Sequence, residues 1–277
     1  MTLRGATRPT SGAVNTVDDR AFAEFVAEYG PRPLPEVAVV IAAYNEAEGI
    51  GTVADAIPAR VCDLDVATVV VVDGAKDDTA TVAVKHGALV CDVPVNRGQG
   101  AALRLGYRLA RECGASYIVT TDADGQYDPA EIERVLAPVV RDEADFVTGS
   151  RRLGRQETDD AVRHLGVRVF AAIVSLLTRR RITDTSFGLR AMRAEVTGSV
   201  ELRQPQYQSS ELLIGVISRG YRVVEVPATM RIRSAGRSKK GNNLVYGYRY
   251  ARVVMATWWR ERPSGRLIRR RRSDQKR

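Results

Sequence analysis

The chain has 277 residues, with 44% hydrophobic and 27% charged side chains, proportions that fit a globular protein and exclude a fibrous or disordered one. Its net charge of +9 is concentrated at one end, because nine lysines and arginines against two acids leave +7 in residues 260–277. The remaining residues carry only about +2, so we do not expect a nucleic-acid-binding surface on the body of the protein.

The cysteines and the apolar runs point to the cytoplasm. Cys62, Cys91 and Cys113 show no metal-like clustering and fit a reducing compartment. The longest apolar run, which begins at Val169, is shorter than the roughly 20 residues that a membrane-spanning helix needs. Residues 1–17 lack the apolar stretch of a signal peptide and are predicted to form a disordered leader. We therefore expect a cytoplasmic protein whose membrane contact, if any, is peripheral.

The first half of the chain alternates helical patterns with continuous apolar runs. A first helix is predicted over residues 18–29 from the spacing of its apolar side chains. Buried strands are predicted at 37–44, 67–73, 88–93, 116–122 and 144–150, and helices at about 46–57, 77–86, 98–113 and 129–140. Such alternation through short links predicts an α/β fold, a doubly wound and mostly parallel sheet flanked by helices.

The second half is less regular, but it shows no internal repeat and no long linker. Its predicted elements are a helix at about 160–178, the segment 187–193, a helix at about 209–219 and a strand at 221–228. We therefore predict one domain over residues 18–243.

An amphipathic helix is predicted over 244–262, followed by a basic disordered tail over 263–277. One face of the helix would carry Leu244, Tyr248, Ala251, Met255, Trp258 and Trp259. Aromatic side chains followed by arginines suit a helix at a membrane interface, while docking of the same face on the protein core is the alternative.

Three aspartates lie at the end of the predicted fourth strand and just after it, in the sequence TTDADGQYDP. Strand side chains alternate between faces, so Asp122 and Asp124 can point the same way. Two carboxylates on one side suit Mg2+ or Mn2+, with Gln126 as a further oxygen ligand, although a pair of solvated turn aspartates is the alternative. Asp128 precedes Pro129 at the start of a helix and is predicted to be its N-cap.

Two more polar motifs, AYNE and DGAKDD, lie at the carboxyl ends of predicted strands, where doubly wound sheets bind ligands. Six ordered motifs resemble family-two glycosyltransferases, most closely the dolichyl- and polyprenyl-phosphate sugar synthases: AYNEAEGI, VVDGAKDDT, NRGQGAALRLG, DADGQ, TDTSFGLRAM and VVEVPATMRIRSAGRSK. The resemblance covers about residues 37–250. It implies a GT-A fold and the transfer, with inversion, of a sugar from a nucleoside-diphosphate sugar of the GDP-mannose or UDP-hexose type to polyprenyl phosphate.

The resemblance also implies residue roles on the donor side. Asp122, Asp124 and Gln126 would hold the metal on the donor diphosphate, and Asp73 would hydrogen-bond the base. The nucleotide-sugar pocket would include Ala43, Tyr44, Asn45, Glu46, Asp73, Gln99, Asp122 and Ala123. Glu46 could instead be an acid of the first helical turn, and Asp73 a turn residue. Departures from the family pattern at Ala42, Val72 and Gln99 leave the donor base open.

On the acceptor side, the resemblance implies that arginines and a lysine meet phosphate groups. The residues concerned are Arg190, Arg231, Arg237 and Lys239. Arginine forks match phosphate oxygens, although a solvated basic loop and a surface strand arginine would show the same sequence pattern.

A phosphate acceptor is already an anion and needs no general base, whereas a hydroxyl acceptor does. Asp184 and Glu211 are the candidate bases, and Glu211 would equally stabilise the N-terminus of a helix. The candidate catalytic residues are thus Asp124, Asp184, Arg190 and Glu211. Transfer to a soluble hydroxyl acceptor remains the alternative function. A nucleotidyltransferase is less expected, because no Gly-rich loop with a lysine follows the first strand.

Overall fold

Eight strands form one mixed sheet within the residues that the computed structural model describes, 16–157, 161–232 and 243–261. They are β1 (Val37–Ala43), β2 (Arg60–Val61), β3 (Leu64–Asp73), β4 (Leu89–Val93), β5 (Tyr117–Asp122), β6 (Phe146–Gln156), β7 (Arg190–Arg193) and β8 (Val223–Met230). The order is β2-β3-β1-β5-β7-β6-β8, and β4 also pairs with β3. Four of the pairings, β3–β1, β1–β5, β3–β4 and β6–β8, are parallel, which confirms the predicted α/β fold with a mostly parallel sheet.

Helices flank this sheet on both faces. They are α1 (Val17–Tyr29), α2 (Ile50–Ala56), α3 (Thr79–Lys85), α4 (Gln99–Glu112), α5 (Ile132–Val140), α6 (Ala161–Thr178), α7 (Ala194–Ser199), α8 (Gln208–Ser218) and α9 (Asn243–Glu261), with a 3-10 turn at Pro129–Glu131 before α5. Alternate side chains of β1 belong to two apolar layers, because a strand presents successive residues to opposite faces. Val40 packs in the layer that contains α4 and α8, and Ile41 packs in the layer that contains α2 and α5.

Helix α2 is shorter than the predicted helix over 46–57. The reason is that the amides of its expected first turn bind the neighbouring loop. The Glu46 N–H donates to Thr79 Oγ1 at 2.9 Å, and the Ala47 N–H donates to Asp77 Oδ2 at 3.1 Å. These bonds tie the loop after β1 to the loop after β3, and the helix begins only beyond them.

Strand β7 is a feature of the sheet that the sequence pattern did not predict as a strand. It runs antiparallel between β5 and β6, with Arg190 opposite Thr120 of β5 and Thr148 of β6. Its four residues are too few to show a reliable strand periodicity. This insertion brings the segment just before β7 to the carboxyl end of β5, where Gly188 lies against Asp122.

Helix α9 lies beside α6 and α8, and the five described side chains of the predicted face lie on the exposed side of the helix or at its margin. The buried side chains of α9 are Tyr250, Val253, Val254 and Thr257. Tyr250 contacts Phe170 of α6, with ring centroids 4.4 Å apart, and Trp258 Nε1 donates to the Leu177 carbonyl at 3.0 Å. Exposed on the opposite face are Tyr248, Met255 and Trp259. Trp258 and Ala251 are half-buried, because they lie at the margin of the contact with the core.

Several predictions from sequence fall beyond the described residues. The side chain of Leu244 lies outside them, as do most of the predicted leader and all of the predicted tail. Among the described helices, none combines the length and the apolar character needed to cross a membrane.

Candidate active site

The three polar motifs lie at one edge of the sheet, because β3, β1 and β5 are adjacent and parallel. Ala42 pairs with Asp122 on one side of β1, and Ala43 pairs with Val72 on the other. The loops that follow these strands therefore meet at their carboxyl ends, the usual position for a ligand in such sheets.

The loop after β1 forms a fixed rim at this edge. Asn45 has a left-handed backbone conformation, with φ at 51°, and its Oδ1 accepts a hydrogen bond from the Lys76 N–H at 2.8 Å. Burial works to raise the pKa of Asp77, but hydrogen bonds from Thr79 and Ala47 outweigh it and lower that pKa. Asp77 is thus held as a carboxylate that joins the two loops. Tyr44 and Glu46 are half-buried in the same rim.

Two predicted pocket residues contribute no side chain to an open pocket. Ala43 and Ala123 are buried in the apolar layer with α2 and α5, so only their backbone atoms are suited to contact a ligand. Their place in the nucleotide-sugar pocket stays a prediction.

Asp73 has a structural role that the sequence did not indicate. Its buried carboxylate accepts hydrogen bonds from the backbone N–H groups of Arg97 at 2.8 Å and Gly98 at 2.7 Å, and from Arg97 Nε at 3.1 Å. Asp73 thereby holds the segment that leads into α4. Contact with a nucleotide base stays a prediction for this residue.

Asp122 and Asp124 lie at the end of β5 and in the turn that follows it. Gln99 Nε2, at the start of α4, donates to Asp122 Oδ1 at 3.2 Å. Asp124 is buried, and its Oδ1 accepts from the Gln126 N–H at 3.1 Å across a turn in which Gly125 has φ at 70°. The turn therefore fixes Asp124, while Gln99 orients Asp122.

The chemistry of this donor set fits a hard divalent cation. Carboxylate and amide oxygens are available from Asp122, Asp124 and Gln126, and ions such as Mg2+ commonly take one or two carboxylates and complete their shell with phosphates and water. The described residues include no group of three or more His, Cys, Asp and Glu that would form a cage made by the protein alone. Gln126 Nε2 donates to the Arg231 carbonyl at 3.3 Å, so the amide oxygen of Gln126 is the atom that could serve as a metal ligand.

Among the predicted phosphate-binding residues, Arg231 lies next to the loop that carries Asp124 and Gln126. Its N–H donates to the Gln126 carbonyl at 2.8 Å, and its guanidinium pairs with Asp128. Asp128 also accepts from the Ala130 N–H at 3.0 Å, so its predicted capping role is confirmed. Arg237 and Lys239 lie outside the described residues.

Asp184 forms a buried ion pair, an environment that does not suit a general base. Its Oδ2 accepts from Arg151 Nε at 2.6 Å, and its Oδ1 accepts from the Ser186 N–H at 3.1 Å. Burial works to lower the pKa of Arg151, but the Asp184 carboxylate outweighs it and raises that pKa. One signal in the sequence could have identified Arg151, since it is a charged residue that directly continues the buried run of β6.

Glu211 is likewise completely buried and engaged. Its two carboxylate oxygens accept from the backbone N–H groups of Arg203 at 3.0 Å and of Gln204 at 2.9 Å, and Oε1 pairs with Arg260 Nη2 at 2.9 Å. The side chain lies in the first turn of α8, as predicted for the structural alternative. These contacts do not fit a role as general base.

Arg190 is a strand residue, but it is only 1% exposed, which excludes the surface alternative. Its Nη1 donates to the Ser209 carbonyl at 3.0 Å, and among the described residues its Nε has no hydrogen-bond partner. The buried Tyr107 hydroxyl and Gln208 Oε1 also lack one within the described part of the chain. Burial lowers the pKa of Arg190 and raises that of Tyr107. These groups form a buried polar region on the α4 and α8 side of the sheet.

This architecture is similar to that of a solved glycosyltransferase. Glucosyl-3-phosphoglycerate synthase from Mycobacterium tuberculosis, in complex with Mn2+, UDP and glucosyl-3-phosphoglycerate, matches with a TM-score of 0.63 and 24% identity, over 92% of this chain and 86% of that one. At this identity the likeness shows the fold alone, and the fold is the GT-A fold expected from the sequence motifs.

Sequence comparison gives the family. Residues 38–200 match the glycosyl transferase family 2 domain. A dolichyl-phosphate hexose transferase of Haloferax volcanii is 36% identical, over 74% of this chain and 86% of that protein. A polyprenol monophosphomannose synthase of Mycolicibacterium smegmatis is 32% identical, over 82% of this chain and 88% of that protein. The chain belongs to glycosyltransferase family 2. The expected resemblance to polyprenyl-phosphate sugar synthases is confirmed, and the nucleotidyltransferase alternative is set aside.

Proposed function

We propose that this glycosyltransferase moves a hexose from a nucleoside-diphosphate sugar to a polyprenyl phosphate, with Mg2+ or Mn2+ and with inversion at the anomeric carbon. The names of the relatives from Haloferax and Mycolicibacterium support a polyprenyl or dolichyl phosphate as acceptor. The Mn2+ and UDP in the similar synthase support a metal and a nucleotide diphosphate on the donor side.

On the donor side, Asp122, Asp124 and Gln126 would hold the metal. When bound, the cation offsets the charge that develops on the leaving diphosphate. Gln99 keeps Asp122 oriented, and Asp124 is held by its turn, so the ligands are set before the substrate binds. Tyr44, Asn45 and Glu46 of the fixed rim would contact the nucleotide of a GDP-mannose or UDP-hexose donor.

The choice of a phosphate acceptor rests on one observation, the contacts made by the two candidate general bases, Asp184 and Glu211. Asp184 is paired with Arg151, and Glu211 is paired with Arg260 and capped by backbone N–H groups. A hydroxyl acceptor needs a positioned base to take its proton. A phosphate oxygen is already anionic at neutral pH and attacks the anomeric carbon without one, so engaged carboxylates favour a phosphate acceptor.

Arg190 is our candidate for the acceptor phosphate. A buried guanidinium is costly unless it is paired and hydrogen-bonded. Its Nε has no partner within the described residues, and a phosphate that reached this edge would satisfy that donor. Arg231, beside the loop that carries Asp124 and Gln126, would bind phosphate oxygens together with Arg237 and Lys239.

We also propose that α6 and α9 place the enzyme on an anionic membrane surface. The exposed apolar side chains of the two adjacent helices are Leu165, Val169, Leu176, Tyr248, Met255 and Trp259. Exposed arginines accompany them at positions 168, 179, 180, 181, 249 and 252, and residues 161–181 and 243–260 contain no acid. Apolar contact with basic flanks fits a helix pair in the interface of anionic lipid.

The test of the membrane surface uses vesicle co-sedimentation. Leu176→Glu and Trp259→Glu should each reduce binding to phosphatidylglycerol vesicles by about tenfold, since each places a charge in the apolar stripe. Val84→Glu, which changes an exposed apolar residue of α3, should bind like the wild type. Equal binding by all three variants would remove α6 and α9 from the proposal.

The test of the reaction uses a radiolabelled hexose on UDP or GDP and undecaprenyl phosphate. Label should enter the organic phase with Mn2+ present and stop doing so with EDTA. Asp124→Asn should abolish this transfer at an unchanged melting temperature, whereas Asp65→Asn, at the opposite end of β3, should retain it. Metal-independent transfer, or label found only in an aqueous hydroxyl product, would refute the proposal.

A further inference from the structure

We propose that Arg260 of α9 is a positioning residue for the donor site, and that it acts through Glu211. The inference rests on the proposed function in one respect, the assignment of Asp122 to the donor metal. In this proposal, α9 helps to hold Gln99 in position to donate a hydrogen bond to Asp122.

The start of α4 is held from two sides. On one side, Asp73 accepts hydrogen bonds from Arg97 and Gly98. On the other side, the Gly100 N–H donates to the Pro205 carbonyl at 2.8 Å. The contact is close enough that a Cβ on Gly100 would lie 2.0 Å from the Gln204 carbonyl oxygen. The backbone of residues 204–205 therefore packs directly against the first turn of α4.

Glu211 holds this backbone segment in place. The segment before α8 has no regular structure, and its Arg203 and Gln204 N–H groups would otherwise lack helix or sheet partners. Both donate to the Glu211 carboxylate, which is fully buried. Glu211 thereby satisfies two backbone donors that no helix or strand pairs.

Arg260 stabilises the buried carboxylate of Glu211 through an ion pair. Its Nη2 pairs with Glu211 Oε1 at 2.9 Å and also donates to the Glu201 carbonyl at 2.9 Å, so one guanidinium joins the start of the segment that precedes α8 to the carboxylate that binds its Arg203 and Gln204 N–H groups. A buried carboxylate is stable only when it is paired and hydrogen-bonded. The contacts thus run without a gap from α9, through Glu211 and the 203–205 backbone, to the turn that carries Gln99.

The chain offers a matched control at the same end of α9. Arg219 of α8 pairs with Glu261, the neighbour of Arg260. Arg219→Met removes an ion pair that anchors α9, as Arg260→Met does, but the hydrogen bonds of Arg219 in the described chain go to Gly215 and Glu261 and not to the 203–205 segment. Arg260→Lys is the conservative variant, since an ammonium group retains the charge opposite Glu211.

The experiment measures the binding of UDP and GDP with Mn2+ by thermal shift, and amide hydrogen exchange in the full chain. Arg260→Met should weaken nucleotide binding by about tenfold, the scale expected when a positioned group is displaced. It should also speed exchange at Arg203, Gln204 and Gly100. Arg260→Lys should recover most of the affinity, and Arg219→Met should bind like the wild type even where its melting temperature falls.

The outcomes separate the two proposals. If the wild type is stabilised by nucleotide in a manner that Asp122→Asn removes, and Arg260→Met binds equally well, the positioning role is overturned and the donor site stands. Equal weakening by Arg219→Met would also overturn it, because general anchoring of α9 would then suffice. If Asp122→Asn leaves nucleotide and Mn2+ binding unchanged, the donor-site assignment itself fails, and the positioning role fails with it.

Discussion

Arg151 and Asp184 form a buried ion pair in which Arg151 Nε lies 2.6 Å from Asp184 Oδ2. The pair joins the middle of β6 to the segment before β7, and Arg151 lies over the Phe187 ring at 5.6 Å from its centroid. It therefore stabilises the contact between β6 and the segment before β7, close to the proposed acceptor residue Arg190.

Breaking this pair from one side should destabilise the protein strongly. Arg151→Met leaves the Asp184 charge buried without compensation and should lower the free energy of unfolding by about 3–5 kcal/mol in urea titration. The double variant Arg151→Met/Asp184→Asn should recover much of that loss, because the introduced amide would still accept a hydrogen bond without carrying a charge. Equal instability of the single and double variants would show that the charge is not the cause.

Removing the Asp184 carboxylate should leave the chemistry largely intact. Loss of a general base costs roughly 10²–10⁴-fold in rate. We expect Asp184→Asn to reduce kcat for undecaprenyl phosphate by less than about tenfold, measured at a temperature where the variant is folded. A loss of about a thousandfold would restore Asp184 as the base and favour a hydroxyl acceptor.

Gly188 leaves room for the Asp122 carboxylate. A Cβ at this position would lie 2.8 Å from the Tyr127 ring and 3.0 Å from Asp122 Oδ2. Tyr127 is packed on Phe187 and cannot easily move, so the carboxylate should shift instead. Gly188→Ala should raise the Mn2+ concentration for half-maximal transfer by about tenfold. Gly106→Ala, which crowds the core instead, is the control and should leave the metal requirement unchanged.

The substitution of glycine by alanine should have opposite effects on stability at two helical positions, Gly106 and Gly166. A Cβ at Gly106 of α4 would lie 2.4 Å from Val40 Cγ1, so Gly106→Ala should destabilise by about 1–3 kcal/mol through overpacking. Apart from its chain neighbours and the nearby backbone of its own helix, no described atom lies within 4 Å of a Cβ built at Gly166 of α6. Gly166→Ala should therefore stabilise by about 0.5–1 kcal/mol through helix propensity. Thermal unfolding of the two variants gives the signs directly.

Helix α1 should show an acid-dependent stability that arises from Asp19. Hydrogen bonds from Thr16, and then from Arg108, lower the pKa of Asp19 to about 2. A lowered pKa means that the stabilisation is complete above the ordinary pKa near 4 and is lost as the pH falls from there to about 2. Melting temperatures between pH 5 and pH 2 should separate wild type from Asp19→Asn at pH 5 and converge near pH 2. Glu24→Gln, on the exposed side of the same helix, should follow the wild-type curve.

Much of the fold and of the donor edge could be predicted from sequence, because the signals are local. Continuous apolar runs located β1, β3 and β5, and the acids that follow them marked the edge where these strands end. The cap formed by Asp128 could be inferred because it depends on neighbours one and two residues away.

The parts that escaped prediction depend on distant pairings. Asp184 and Arg151 are 33 positions apart, and Glu211 and Arg260 are 49 apart, so no spacing rule connects them. A carboxylate that looks like a base in sequence becomes a structural group once its cation is placed. In the same way, the exposed face of α9 was decided by which side α6 and α8 cover.

The antiparallel direction of β7 separates the proposed donor and acceptor residues along the chain. Most of the proposed donor residues end or follow strands that run towards the sheet edge, whereas the segment 183–189 and Arg190 reach the same edge at a strand that begins there. A change in the length of the stretch between β6 and β7 would therefore alter residues 183–190 without changing the loops after β1, β3 and β5. Residues 37–126, which supply the proposed metal ligands and nucleotide contacts, could stay the same while that part of the acceptor side diverges.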